Sequence, residues 1–480
     1  MTHTIRQIWG FEDQQTTRFY AVSGTAPPFD TTTASNSRRA VKWDGSAASV
    51  PGYLQFARGF TAAGAWDTTT QTHWWSSFHI YLTSLPVAGQ NFYLGLSVFS
   101  GGTTASAVFV DSAGTVWIYN GTTATSESAL GTLSAGVYYV VSHRISRNST
   151  IEVVVRNRAT TATVASKQHS GNIANTALIY YLLGPSAASR GICSFDNFVI
   201  ECDDTLANIA DPVLLMGTNF AVGLLGPTAA VGTYDAWTGT NADVDEYPQD
   251  GNTSFRSVPG TLVAFTAPLF HTSTLITQVG TIYATQHFAY CRESAGGTTC
   301  QLRIRSATTD SDSANFEPIF SATVYTPVQL LLILDPATAS SWTASALDAA
   351  EVGIERVDAT DTSFCTEVGL EVLYNPTTIR RVKRVHYLLD FKDPLQRIRD
   401  AETGRIIPYS EVRANRFMRI LSISPPSPEE TLSLYRDESV VFLERVAYSW
   451  TESGESLSIE GADDFVETLM GRLENTSSSV

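Results

Sequence analysis

The sequence is poor in cysteine, in charge and in long apolar runs. Its 480 residues include five cysteines, none in CxxC spacing, and 16% charged residues. This argues against a zinc site or a disulfide scaffold. The stretch closest to a membrane span, PVLLMGTNFAVGLLGP, is short and broken by Gly and Asn, whereas a spanning helix needs about 20 apolar residues. We therefore expect no membrane insertion and no cofactor.

Basic residues are also scarce. The chain has 31 Lys and Arg against 47 Asp and Glu, for a net charge of −16. Proteins that bind nucleic acid carry clustered Lys and Arg, so we expect no nucleic-acid partner. The first residues, MTHTIRQIWGFEDQQ, contain no apolar run that could form the core of a signal peptide. Classical secretion is therefore not predicted.

Short runs with alternating apolar residues fill most of the chain, and Gly, Thr, Ser and Pro separate them at intervals typical of sandwiches. The pattern predicts an all-β fold with antiparallel sheets. The predicted fold has one β-sandwich over residues 1–203, a linker over 204–226 and a second β-sandwich over 227–375. After Asn375 the composition changes, because 31 of the last 105 residues are charged against 47 of the first 375. This change predicts a smaller, charged, β-rich domain over 376–480 that serves as an assembly domain.

The stretch LDPATASSWTASALDAAEVGIERV (334–357) interrupts this rhythm with helix-forming residues. Ser341 or Thr343 can cap a short helix over 344–350. Trp342, Ala346 and Ala350 then fall on one stripe of that helix. We predict a brief helical crossover that docks Trp342 against the second sandwich.

This succession of Asp-Pro, Trp, a short alanine-rich helix and a Gly-containing strand resembles a β-sandwich module of structural proteins from tailed bacteriophages. The upstream YDAWTGTNADVDEYPQDGNTSFRSV is similar to the start of the same module, so the resemblance covers roughly 227–375. It implies a virion structural protein of a tail, neck or head fibre, made in the host cytoplasm without a signal peptide. It also implies that the chain binds other virion proteins and forms a homo-oligomer, with a trimer as the favoured oligomeric state.

The first module opens with IWGFEDQ and closes with FDNFVIE, and is similar to concanavalin-like or laminin-G-like jelly rolls. In those folds the first and last strands lie side by side, which would place 11–13 near 195–198. Some members hydrolyse glycosides with a Glu-x-Asp-x-x-Glu strand, and this chain has no such run. It also lacks Gly-x-Ser-x-Gly, phosphate-loop and His-Glu-x-x-His motifs. We therefore expect a protein that is not an enzyme.

The segment HWWSSFHIYLT gives the candidate ligand site. Alternation along a strand turns Trp75, His79 and Tyr81 away from the core. Such an aromatic platform can stack on sugar rings of a host surface glycan or pack against another subunit. The alternative is a face that loops of the same chain cover. A soluble carbohydrate-binding protein is thus the alternative function, and a polysaccharide-degrading tail enzyme is a third.

One basic cluster stands near the domain boundary. The sequence RRVKRV places Arg380, Arg381, Lys383 and Arg384 close together. It is a candidate assembly contact to an acidic partner, or a solvated strand face.

Two further segments leave alternatives open. In CRESAGGTTC the Gly-Gly turn could place Cys291 and Cys300 on opposite strands of a hairpin, as a disulfide or as two reduced thiols. The segment DSDSAN (310–315) begins like a calcium loop. It lacks the turn Gly and terminal Glu of such a loop, so a polar turn is expected.

Overall fold

The computed structural model describes two compact units, residues 1–377 and 378–480. The residues that it describes are 5–13, 21–23, 29–30, 40–44, 53–57, 73–99, 104–119, 131–146, 149–170, 178–185, 191–203, 210–231, 237–258, 269–273, 279–358, 361–376, 384–390, 398–399, 406–407, 417–420, 439–451 and 454–462. The predicted all-β fold, with two antiparallel sandwiches and a β-rich C-terminal part, is confirmed.

The first sandwich is built from strands of alternating apolar residues. These are β1 Ile5–Trp9, β2 Ala21–Ser23, β3 Phe29–Asp30, β4 Ala40–Asp44, β5 Tyr53–Ala57, β6 His73–Ser84, β7 Asn91–Phe99, β8 Thr104–Asp111, β9 Thr115–Tyr119, β10 Gly131–Thr132, β11 Tyr138–Ser146, β12 Thr150–Asn157, β13 Thr163–Ser170, β14 Leu178–Pro185 and β15 Ile192–Asp203.

Two sheets form this sandwich. Sheet I has the order β13-β12-β11-β6-β15-β4-β3, with β1 also paired to β15, and sheet II has the order β10-β9-β8-β7-β14-β5-β2. The first and last strands are neighbours, since Trp9 faces Phe198 in the antiparallel register. Phe11, Phe195 and Phe198 join the core between the two sheets, which confirms the adjacency that the jelly-roll resemblance implied.

The second sandwich contains two short helices among its strands. Its elements are α1 Pro212–Met216, β16 Ala221–Leu225, β17 Pro227–Val231, β18 Arg256–Val258, β19 Leu269–Thr272, β20 Val279–Glu293, β21 Cys300–Ser306, β22 Thr309–Asp312, β23 Ile319–Phe320, β24 Thr326–Leu332, β25 Leu334–Asp335, β26 Ser340–Ser341, α2 Ala344–Asp348, β27 Glu351–Arg356 and β28 Ser363–Pro376. A 3₁₀ turn spans Asn241–Asp243.

Sheet III has the order β16-β28-β20-β23, with β18 paired to β28 and β24 paired to β20. Sheet IV has the order β17-β19-β27-β21-β22. The pairing is antiparallel except between β20 and β23, which run parallel. Part of the predicted linker 204–226 is structured, because α1 lies within it and β16 pairs with the end of β28. The second sandwich therefore begins before residue 227.

The predicted helical crossover is present as α2. Thr343 is its N-cap, and its hydroxyl accepts a hydrogen bond from Ala346 N, which satisfies one of the free donors at the helix start. Trp342 is buried in the core of the second sandwich beside Leu347 and Ala350. The helix ends at Asp348, two residues before the predicted end at 350.

The two sandwiches stack into four layers in the order II-I-III-IV. A second apolar cluster lies between sheets I and III, and we call it the inter-sandwich core. Its buried members are Ile5, Ile8, Val140, Val199, Val213, Met216, Phe220, Val222, Ala284 and Leu373. Burying an aliphatic side chain contributes about 1.5–3 kcal/mol, so this contact joins the sandwiches firmly.

Polar groups complete the contact between the sandwiches. The buried Gln286 side chain accepts a hydrogen bond from Ile8 N at 3.2 Å and donates one to Ile8 O at 2.9 Å. Glu371 accepts one from Gly10 N at 3.1 Å. Gly10 is needed there, because a Cβ would lie 2.5 Å from the backbone oxygen of Val222.

The second unit contains two sheets. One has the order β29-β34-β33-β32, and the other is the pair β30-β31. Their bounds are β29 Arg384–Asp390, β30 Ile398–Arg399, β31 Ile406–Ile407, β32 Phe417–Ile420, β33 Ser439–Thr451 and β34 Gly454–Ala462. Across the residues that the structure describes, no helix is long and apolar enough to cross a membrane.

Candidate functional site

The predicted platform of Trp75, His79 and Tyr81 lies on the side of β6 that faces away from the first core, as alternation requires, but two of its members are buried. Trp75 is 6% exposed and His79 is 1% exposed. The expectation of a sugar-stacking surface at this place is therefore wrong, because a glycan cannot reach the faces of these rings.

Neighbouring side chains explain this burial. The His79 ring packs against Phe220, which leads into β16, at 4.4 Å between centroids, and its Nδ1 lies 3.3 Å from Asn197 Nδ2. The guanidinium of Arg144 lies over the Trp75 ring at 5.1 Å. Tyr81 remains half-buried beside Tyr138. Burial first, and then the positive charge of Arg158, hold the pKa of His79 well below its usual range. Through its contact with Phe220, His79 packs where the two sandwiches meet.

The basic cluster lies mostly outside the described residues. Arg380, Arg381 and Lys383 are not described, whereas Arg384 opens β29 and faces Ala462 of β34. Its role as an assembly contact stays a prediction.

The hairpin that could have joined Cys291 and Cys300 does not form, and the two cysteines are free thiols, which was the alternative to a disulfide. Both glycines of the turn have positive φ, but the chain crosses there from sheet III to sheet IV, so the flanking strands do not pair. Cys291 instead faces Cys365 across β20 and β28. All five cysteines are free and buried, and burial raises the pKa of Cys300 to about 12.

The segment 310–315 does not form a calcium loop. Asp310 and Asp312 belong to β22, where Asp310 pairs with Arg305 at 2.5 Å and Asp312 with Arg303 at 2.6 Å. The hydrogen bond from Arg305 lowers the pKa of Asp310. Among the described residues, no group of three or more His, Cys, Asp or Glu side chains is placed to hold a metal ion.

A different aromatic group lies on the outer face of sheet II, and we call it the aromatic strip: Phe109, Trp117 and Tyr119. Core residues Val108, Val110, Val116 and Ile118 alternate with these positions, so the strip faces away from the core. Phe109 and Trp117 are directly opposite across β8 and β9. Their rings are nearly parallel, with 12° between planes and 6.3 Å between centroids. All three side chains are half-buried, so part of each ring reaches solvent.

Asp111 fixes the strip at the turn between β8 and β9. Its carboxylate accepts hydrogen bonds from Ala113 N and Thr115 N at 2.9 Å, and from Trp117 Nε1 at 2.8 Å. Burial alone would raise the pKa of Asp111, but the hydrogen bonds from Trp117, Thr115 and Ala113 outweigh it and lower that pKa. The carboxylate is therefore ionised at neutral pH and holds the indole in one orientation.

Gly114 makes this turn possible. It has φ of +77°, and a Cβ there would lie 2.1 Å from the backbone oxygen of Leu133. The signal for this site was present in VFVDSAGTVWIY, where two alternating runs flank a turn with Asp and Gly. Sequence analysis did not identify it, because alternation shows which side chains face outward but not which of them stay exposed.

Comparisons with known proteins find weak structural similarities. No protein-family model matches the chain, and no curated protein matches it. Among solved structures, it is similar to the CBM2 module of the evolved Dit protein of Lactobacillus casei BL23 phage J-1, at 9% identity and a TM-score of 0.30, covering 42% of this chain and 97% of that one.

Two further structures are comparable. Lectin I from Ulex europaeus, in complex with the methyl glycoside of α-L-fucose, has 8% identity and a TM-score of 0.30, with coverage of 41% of this chain and 98% of that one. Endo-β-1,4-glucuronan lyase from Trichoderma reesei has 12% identity and a TM-score of 0.28, with coverage of 40% and 93%. Likenesses at these values carry no inference about function.

Proposed function

We propose that this chain is a non-enzymatic carbohydrate-binding protein that holds glycans on the outer face of sheet II. The observation that carries the proposal is the pair of nearly parallel rings, Phe109 and Trp117, with Trp117 Nε1 anchored by Asp111. Sugar rings present C–H faces that pack on aromatic side chains. A ring that its own scaffold already fixes loses little conformational entropy when a sugar binds.

The charge of Asp111 bears on the class of glycan. An ionised carboxylate beside the strip accepts hydrogen bonds from sugar hydroxyl groups. It also repels uronic acids and sulfated sugars, since like charges near a binding surface disfavour association. The proposed ligand is therefore a neutral glycan.

A Trp117→Ala variant tests the site. We expect wild-type protein to bind neutral oligosaccharides on a glycan array, and the variant to lose about tenfold in affinity. An aromatic contact contributes about 0.5–1.5 kcal/mol beyond the apolar area that it buries, and about 1.4 kcal/mol corresponds to a factor of ten. Titration calorimetry with the best array ligand measures this loss.

Tyr81→Ala is the matched control, because Tyr81 is a half-buried aromatic residue on sheet I and should bind like wild type. Circular dichroism checks that both variants are folded. Equal affinity in wild type and Trp117→Ala, or no binding of any neutral glycan by wild type, would contradict the proposal.

The second candidate is a virion structural component, located in a phage tail, neck or head fibre and made in the host cytoplasm. What supports it is the sequence resemblance of 227–375 together with the four-layer stack, in which buried contacts join the two sandwiches. A multi-copy particle needs such stiff building blocks.

Electron microscopy tests this second candidate. Antibodies raised against the full chain should decorate phage particles in an induced lysate of the source cells at regular positions. Antibody that binds free protein in the lysate but does not bind the phage particles would contradict a virion location. The glycan proposal would still stand, because its own test does not depend on the particle.

A further inference from the structure

Strand β24 forms an open edge of sheet III. Among the residues that the structure describes, β24 is hydrogen-bonded along one side, to β20 between Thr326 and Leu332. An open edge presents a row of free N–H and C=O groups, and native proteins usually protect such edges with charges, Pro or short strands. Pro327 protects the start of β24, but no comparable residue follows it.

The sequence around this edge is uncharged. The seventeen residues PIFSATVYTPVQLLLIL, from 318 to 334, contain no Lys, Arg, Asp or Glu in a chain whose net charge is −16. Two copies with this charge repel each other across most surfaces. A neutral strand edge is a place where they can meet without opposing carboxylates.

Apolar side chains continue the edge into a patch, which we call the edge patch: Leu214, Leu215, Tyr283 and Leu334. Leu214 is 75% exposed, Leu334 is 48% exposed and Leu215 is 38% exposed. The Tyr283 hydroxyl donates a hydrogen bond to Leu215 O at 3.3 Å and so ties α1 to sheet III. Leu331 and Ile333, beside this patch, pack partly against the inter-sandwich core.

We propose that this edge is an interface with a second copy of the chain, in which β24 pairs antiparallel with the β24 of the copy. Antiparallel pairing of identical strands is self-complementary, so the same surface on both copies satisfies the contact with two-fold symmetry. Pro327 at one end and the end of β24 at the other confine the paired segment to 328–332, because Leu334 is already paired with Ser341. Sheet III then continues across the dimer, and the edge patch of each copy buries apolar surface of the other copy where the two β24 strands meet.

The two-fold contact also has a consequence for the proposed function. It places two aromatic strips on one particle, which is the arrangement that avidity for a repeating glycan requires. The contact itself does not depend on glycan binding.

Sedimentation equilibrium of the full-length chain tests the contact. Wild type should have twice the monomer mass of 52.0 kDa. The double variant Leu214→Lys, Leu334→Lys should raise the dimer dissociation constant by at least about tenfold, because it places like charges across the seam. Both substituted side chains are exposed, so the fold should survive, which circular dichroism checks.

Val87→Lys is the matched control, since Val87 is 50% exposed and lies between β6 and β7 of the first sandwich. It should remain a dimer. Hydrogen exchange supplies an independent measurement: amides of 328–332 that are not bonded to β20 should be protected in wild type and should exchange faster in the double variant. A wild-type monomer, a three-copy mass, or a double variant that dimerises as tightly as Val87→Lys would overturn the proposal.

Discussion

Replacing Gln286 with Glu should destabilise the protein by about 3–5 kcal/mol, which is the range for leaving a buried charge without a partner. Gln286 is fully buried between the sandwiches, and its Nε2 donates to both Ile8 O at 2.9 Å and Glu371 Oε2 at 3.1 Å. A carboxylate cannot donate either bond. It would also place a second negative charge beside Glu371, in a region where water does not screen the repulsion.

The contact is specific because the Gln286 amide, like a peptide group, supplies Ile8 with one hydrogen-bond donor and one acceptor. One edge of β1 is paired with β15, and Gln286 satisfies both backbone groups of Ile8. Loss of this contact leaves buried backbone groups unsatisfied, which adds to the cost.

Urea unfolding measures the effect, with Gln90→Glu as the control. Gln90 lies in the turn before β7 and is half-buried, so the same chemical change there should alter stability by no more than about 0.5 kcal/mol. Equal unfolding midpoints for the two variants would show that Gln286 does not hold the sandwiches together.

Local structure was largely predictable from the sequence. Alternation of apolar residues located the strands, and Thr343 with the alanine-rich stretch predicted α2. These features depend on neighbours in the chain, which the sequence displays directly. The adjacency of β1 and β15 came from the resemblance to jelly rolls, and the structure confirms it.

The candidate site was harder to predict, because burial of a sheet face depends on segments far away in the chain. Alternation placed Trp75 and His79 correctly on the outward face, but it could not show that Phe220 and Arg144 cover them. A hint was available, since the outward positions of β6 and β11 include Ser77, Val140 and Ser142. Apolar and small neutral residues at such outward positions favour a sheet that is buried on both sides.

Acid should destabilise the protein strongly, and His143 should account for a large share of the loss. Burial lowers the pKa of His143 to about 3, whereas in the unfolded chain it is near 6.5. Below pH 6.5 the unfolded state binds a proton that the folded state does not, so stability falls as the pH falls. The loss is about 1.4 kcal/mol per pH unit, or about 3 kcal/mol between pH 6.5 and pH 4 for this residue.

Two other buried histidines act in the same direction. Burial lowers the pKa of His79 and of His287. His287 bridges sheets III and IV, with Nδ1 2.9 Å from Gly369 O and Nε2 2.8 Å from Gly353 O. A neutral ring donates to one of these oxygens and an imidazolium to both, which partly offsets the cost of protonation in its case.

The free energy of unfolding, measured in urea at several pH values, separates these contributions. His143→Leu cannot titrate, so its stability should decline less steeply between pH 6.5 and pH 4, by about 1.4 kcal/mol per pH unit. Comparison of slopes removes any constant loss that the substitution itself causes. Parallel slopes for wild type and His143→Leu would show that His143 is protonated in the folded protein, and would contradict its burial as a neutral group.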